Sequence, residues 1–360
     1  MSGTQSKPPA DTSNAASRPT IAPSALPEHT PAIVVRALLL GLLAAVTYSV
    51  ANLALRGLSR ADGGAGWDMW VAGTKAFPTF AVAVVLLLIR KSKGQTTFAA
   101  WKFVWPIAVA AFFNQMGGNF AFQMSLRAIG LAISVPICFS SIICSGAIVG
   151  RIVLNDQVSI RTAISMSLMV ASIIFLSTAA KSRAIESTVT DAIDVVTEMP
   201  DTVSESAVTL SADRPTPLSV STGVALSMIS GLCYGVTGVF IRKAVRSQMP
   251  VAATLFLFSA AGFLVLCPLS LLMLPLQTIT ETTPTEWITI ATAGVFNAIG
   301  FYAITHAMRY LTISRANVIN ASQNAMCAVG AVLVFNETLS TAGLIGIGLT
   351  IAGLLVLDRK

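Results

Sequence analysis

The sequence predicts an all-α integral membrane protein with ten transmembrane helices arranged as two inverted five-helix repeats. Three observations lead there. The chain is 54% hydrophobic and only 11% charged, with mean hydropathy +0.76, far from the roughly 25% charged residues of soluble domains. Ten apolar runs come close to the roughly 20 residues that cross a bilayer's hydrocarbon core. The second half of the chain also repeats the landmarks of the first in the same order.

The runs are 37–55, 69–89, 104–126, 132–149 and 163–180 in the first half, then 220–241, 251–274, 288–307, 316–335 and 341–357 in the second. Such long, unalternating segments must be helices, because lipid cannot satisfy open backbone groups. Tyr48 to Arg56 in the first run answers Tyr234 to Arg242 in the sixth, with tyrosine and arginine eight residues apart in both. Phe113-Asn114 in the third run answers Phe296-Asn297 in the eighth. Arg127, the run 132–149 and a break at Asn155, Asp156 and Ser159 are answered by Arg309, the run 316–335 and a break at Asn336, Glu337 and Ser340. Five spans per half make the second half enter the membrane from the opposite side, the inverted-repeat plan of many secondary transporters.

Residues 1–31 are rich in Pro, Ser, Thr and Ala without an apolar run and read as a disordered cytoplasmic tail, neither a core nor a secretory signal. The first repeat then occupies 32–180 and the second 218–360. Residues 181–217 carry seven acids and read as a solvated outer linker. Loops on one side hold fourteen basic residues, among them Arg36, Arg90, Lys91, Arg151, Arg242 and Arg309; the other side holds six, Arg56, Arg60, Arg127, Lys181, Arg183 and Arg214. This asymmetry puts both termini in the cytoplasm. It also accounts for the net charge of +7 without a nucleic-acid partner. The bacterial inner membrane, a plasma membrane, is the expected location. The five cysteines all lie inside spans without metal-ligand spacing, so no metal or other cofactor is expected. Small-residue pairs, including Gly146 with Gly150, Gly231 with Gly235, and Gly346 with Gly353, suit close helix contact. A homodimer is compatible with the sequence and not required by it.

These residues resemble the drug/metabolite transporter superfamily, specifically its EamA-like ten-helix members, over roughly 33–358. The resemblance rests on the paired repeats, on Ser125-Leu126-Arg127 and Ala307-Met308-Arg309 before small-residue spans, on Asn336-Glu337-Thr338-Leu339-Ser340, and on Leu344 to Gly353. Glu337 matches the glutamate that such members carry between the ninth and tenth helices, and the first repeat has Asn155-Asp156 there. The resemblance implies transport, with export more frequent than uptake.

Charged groups within a span are costly and face a cavity or a partner. Lys75, two turns in from Asp68, is either a cationic anchor for a substrate carboxylate or phosphate, or a lysine whose amine snorkels to the interface. Gln115, Asn119 and Gln123 recur every four residues on one face of the third span, with Asn114 beside them. Asn317, Asn320 and Asn324 form a second amide stripe in the ninth span, with Gln323 adjacent. Both stripes read as lining of a water-filled cavity, with interhelical glue as the alternative. His306 reads as a packing residue, and Asp68, Asp156 and Glu337 fall at span ends. No Ser-His-Asp, Cys-His or paired-carboxylate set can be built inside the membrane, so an enzyme is not expected. The expectation is a secondary carrier that moves a small polar metabolite, an amino acid or related zwitterion or anion, across the bilayer by alternating access. A channel-like facilitator and a non-transporting sensor or scaffold are the alternatives.

Overall fold

The computed structural model describes residues 31–60, 63–154, 159–197, 218–246, 249–308, 310, 320 and 322–358. Every regular element among them is helical. The first half comprises α1 (Pro31–Gly57), α2 (Gly64–Thr74), α3 (Phe77–Ser92), α4 (Trp101–Phe113), a π-helical stretch π1 (Asn114–Phe120), α5 (Ala121–Ile129), α6 (Leu131–Leu154) and α7 (Ile160–Thr197). The second comprises α8 (Val220–Arg246), α9 (Val251–Ala261), π2 (Gly262–Leu266), α10 (Cys267–Leu271), α11 (Leu276–Thr280), α12 (Pro284–Ala307), α13 (Ser322–Phe335) and α14 (Thr341–Asp358).

Seven helical segments among the described residues are long and apolar enough to cross a membrane. The other three expected spans depart for local reasons. The third, 101–129, is split by π1 into pieces too short to count singly. The described part of the ninth is the 14 residues of α13, and the tenth contributes an apolar helix over Thr341–Val356. The second span turns at Lys75 and Ala76, because Pro78 has no N–H to continue the ladder and opens α3 instead. Pro268 likewise opens α10, whereas Pro136 is accommodated inside α6. The expected linker also begins as helix. No glycine or proline lies between Ile160 and Met199, so α7 runs on through Thr197. The tail 1–30, the first-half break at Asn155 and Asp156, Arg309, Asn317 and residues 198–217 lie outside the described residues.

Large apolar side chains such as Leu39, Leu88, Ile174, Ile288 and Leu333 are exposed on the helix surfaces, as a lipid-facing surface requires. The interior is built from small residues and aliphatics around Leu126, Leu131, Val135, Ala293 and Ala331. The most extensive helix pairs are α6 with α8, α1 with α12, and α7 with α14. At the α6–α8 crossing a Cβ on Gly231 would lie 2.2 Å from the Cys138 carbonyl, and one on Gly235 would lie 2.5 Å from that of Ile142. Only glycine allows that approach. Three of these contacts join the first half of the chain to the second, so the halves share one interior.

Candidate functional site

The spans run alternately up and down, so the end of α1 at Gly57, the start of α2, the end of α5, the start of α6, the start of α12 and the end of α13 all lie at one end of the bundle. Three ion pairs tie that end together. Arg56 donates from Nε to Glu337 at 2.7 Å. Arg60 pairs with Glu286, also through Nε at 2.7 Å, and stacks its guanidinium over Trp67 at 3.9 Å. Arg127 reaches Asp68 Oδ2 at 2.9 Å. The first two pairs join the two halves of the chain.

Glu337 owes its position to its neighbour. Asn336 adopts φ +52°, a left-handed conformation that asparagine tolerates better than most residues. The Glu337 N–H then turns back onto the Ala331 carbonyl at 3.1 Å. The carboxylate thereby accepts from the backbone N–H groups of Leu131 and Ala132, both at 3.0 Å, which are unpaired donors at the start of α6. Burial works against its charge. The Ala132 N–H, Arg56 and the Leu131 N–H outweigh it and hold the carboxyl below the usual glutamate range. Glu286 works in two ways. It completes a capping box with Thr283 at the start of α12 while it holds Arg60.

Below this closed end lies a cavity of about 220 Å³. It begins at the level of Asn52 on α1 and Phe122 on α5 and runs past mid-depth to Ile241, Ile304 and Met308, near the opposite ends of α8 and α12. The cavity lies between the two halves. Its polar lining includes Tyr48, Asn114, Gln115, Asn119, Tyr234 and Asn297.

Lys75 lines this cavity and is 4% exposed, so its amine does not snorkel to the interface. The turn that carries it is clamped from behind. Gly294 of α12 lies so close that a Cβ there would be 2.7 Å from the Lys75 carbonyl and 2.8 Å from the Pro78 ring.

Of the first amide stripe, Gln115 and Asn119 line the cavity and Gln123 does not. Gln115 donates to the Phe258 carbonyl at 2.6 Å and accepts from Asn119 at 2.6 Å, and Asn119 accepts from the Tyr234 hydroxyl at 2.9 Å. This chain of bonds links π1 to α8 and to the turn before π2. Gln123 donates to the Leu55 carbonyl at 3.1 Å and to Ser59 Oγ at 3.4 Å, which ties α5 to the end of α1. Of the second stripe, Asn320 and Gln323 line the cavity. Asn324 is fully buried away from it with both amide atoms unpartnered among the described residues, and Asn317 lies outside them. His306 packs its ring on Tyr302 at 4.5 Å.

The ion pairs are what the sequence reading missed. Asp68 lies near the start of its span, as expected, and is fully buried there against Arg127. The available signal was the sign of the charges, since Asp68, Glu286 and Glu337 share this end with Arg56, Arg60 and Arg127. No cluster of His, Cys, Asp and Glu suited to a metal ion occurs among the described residues.

Residues 221–357 match the sequence profile of the EamA-like transporter family. Among the solved structures that match, a crystal structure of a protein superposes with a TM-score of 0.55 at 14% identity, covering 89% of this chain and 96% of that one. At that identity the likeness is one of fold. No curated protein matches the chain.

Proposed function

Because the chain carries an EamA-like transporter domain of the drug/metabolite transporter superfamily across residues 221–357, we propose that it is a secondary carrier. It moves a small polar metabolite, an amino acid or related zwitterion or anion, by alternating access, in the export direction. The observation that carries this reading is the cavity between the two halves, lined by Lys75 and several amides and closed at one end by ion pairs that cross between them.

The helix contacts support two inverted repeats, 32–180 and 218–360. Exchanging the halves carries the pairing of α1 with α12 onto that of α8 with π1 and α5, and the pairing of α6 with α8 onto that of α13 with α1; all four occur. The pair α7 with α14 maps onto itself, and α3 with α9 maps onto α10 with α2, which also occurs. Rocking one repeat against the other would open the ion-paired end and close the end near Ile304 and Met308. The distribution of basic residues supports cytoplasmic termini, and the plasma membrane is the proposed location. The family supports transport rather than catalysis.

Flux in proteoliposomes, measured against solute concentration, tests the reading. A carrier saturates at micromolar to millimolar solute. Flux that rises linearly throughout favours the channel-like alternative, and no flux of any solute by folded protein contradicts both.

A further inference from the structure

We infer that the substrate is an organic monoanion whose carboxylate is held by the Lys75 amine, an inference that rests on the carrier reading and narrows its substrate class. Lys75 is the one charged residue among the described residues lining the cavity; no aspartate, glutamate or arginine is among them. No hydrogen bond or ion pair joins its amine to a described residue, although the side chain is almost wholly buried. The acids closest in sequence and depth are committed elsewhere, Asp68 to Arg127, Glu286 to Arg60 and Glu337 to Arg56.

An ammonium buried without a partner is costly, and a counter-charge in contact with it relieves that cost. In a cavity of low dielectric the net charge of the occupied site decides which ligand fits. A monoanion brings the site to zero. A zwitterion leaves it at one positive charge, with a second ammonium beside Lys75 and no carboxylate to receive it. A cation raises it to two, and a dianion overshoots.

Three further lining atoms limit the rest of the ligand. Thr79 Oγ1, Asn320 Oδ1 and Gln323 Oε1 are buried without a hydrogen-bond partner among the described residues. Two are pure acceptors, so they call for hydroxyl or N–H donors on the ligand body. Phe122, Phe139, Phe258 and Phe301 line the remainder and suit an apolar skeleton.

Matched trios that share a skeleton and differ only in charge test this: 3-phenylpropionate, phenylalanine and phenethylamine; 4-methylpentanoate, leucine and isopentylamine; 3-hydroxybutyrate, threonine and 1-aminopropan-2-ol. Two readouts are taken on the full chain, thermal stabilisation in detergent and counterflow in proteoliposomes. In at least one trio the acid is expected to bind roughly 10-fold or more tightly than its partners, about 1.4 kcal/mol. Lys75→Met abolishes that preference while keeping the unliganded melting temperature, and Lys75→Arg restores part of it.

A zwitterion or amine that equals or exceeds its matched acid in every trio overturns the inference, as does an acid preference unchanged in Lys75→Met or the absence of stabilisation by any acid. The two readouts separate the claims. Counterflow of zwitterions without acids leaves the carrier standing and removes the monoanion; Lys75-dependent stabilisation by an acid without any flux does the reverse.

Discussion

Glu337 holds three donors from the first half of the chain, and its contribution has a definite pH sign. Its folded pKa is held below the ordinary value, so the stabilisation is present above the unfolded glutamate range, near pH 4.3, and is lost as pH falls through the lower folded value. Glu337→Gln is expected to lower the melting temperature at pH 7, at a cost of roughly 3 kcal/mol, the scale for breaking a buried charge pair. The gap between variant and wild type closes as pH drops below about 4. Melting curves across pH check this, and a gap that widens toward acid contradicts it. The sequence pointed to Glu337 through its family resemblance, but its partners are more than 200 residues away and belong to the fold. Lys75 was legible because a lysine inside an apolar run has few places to go. Gln123 was not. Its four-residue spacing matches that of Gln115 and Asn119, yet the wider turn of π1 shifts the register between them, and Gln123 points to α1.

At the scale of elements, the helices themselves were readable from apolar length, and the interruptions were not. Pro78 signalled the turn at Lys75, whereas nothing in Asn114–Phe120 or Gly262–Leu266 marks a π-helix beyond their glycines. π-helical stretches recur at functional sites, and here both flank the bond from Gln115 to the Phe258 carbonyl. The turn that carries Lys75 depends on Gly294. Gly294→Leu is expected to force α12 away from the Lys75 carbonyl and Pro78, with transport reduced at least tenfold at normal membrane abundance. Gly348→Leu, where a Cβ meets nothing within 4 Å, serves as the control and retains transport. Equal transport in the two variants removes the positioning role. The extension of α7 through Thr197 shows that the start of a solvated linker can be helical, since residues 181–197 are free of glycine and proline.

At the scale of the whole molecule, the sequence conveyed the duplication and so the expectation of two halves around a shared cavity. It did not convey which end is closed, because that depends on pairs such as Arg60 with Glu286 that only the packed helices bring together. Alternating access requires this end to part. On a cysteine-free background, joining Arg60→Cys to Glu286→Cys with a short bifunctional thiol reagent is expected to arrest transport, and a cleavable version restores it on reduction. Transport that persists when crosslinking is complete means that this end does not open. The most direct test of the central claim, that the cavity between the halves is a carrier's substrate site, is counterflow. Proteoliposomes preloaded with pooled amino acids, nucleosides, sugars and organic acids are exposed to the same pool carrying isotopic label, and exchange is read by mass spectrometry. Selective accumulation of one chemical class against its gradient, lost in Lys75→Met, is the predicted result; folded protein that exchanges nothing, or that passes every solute without trans-stimulation, contradicts it.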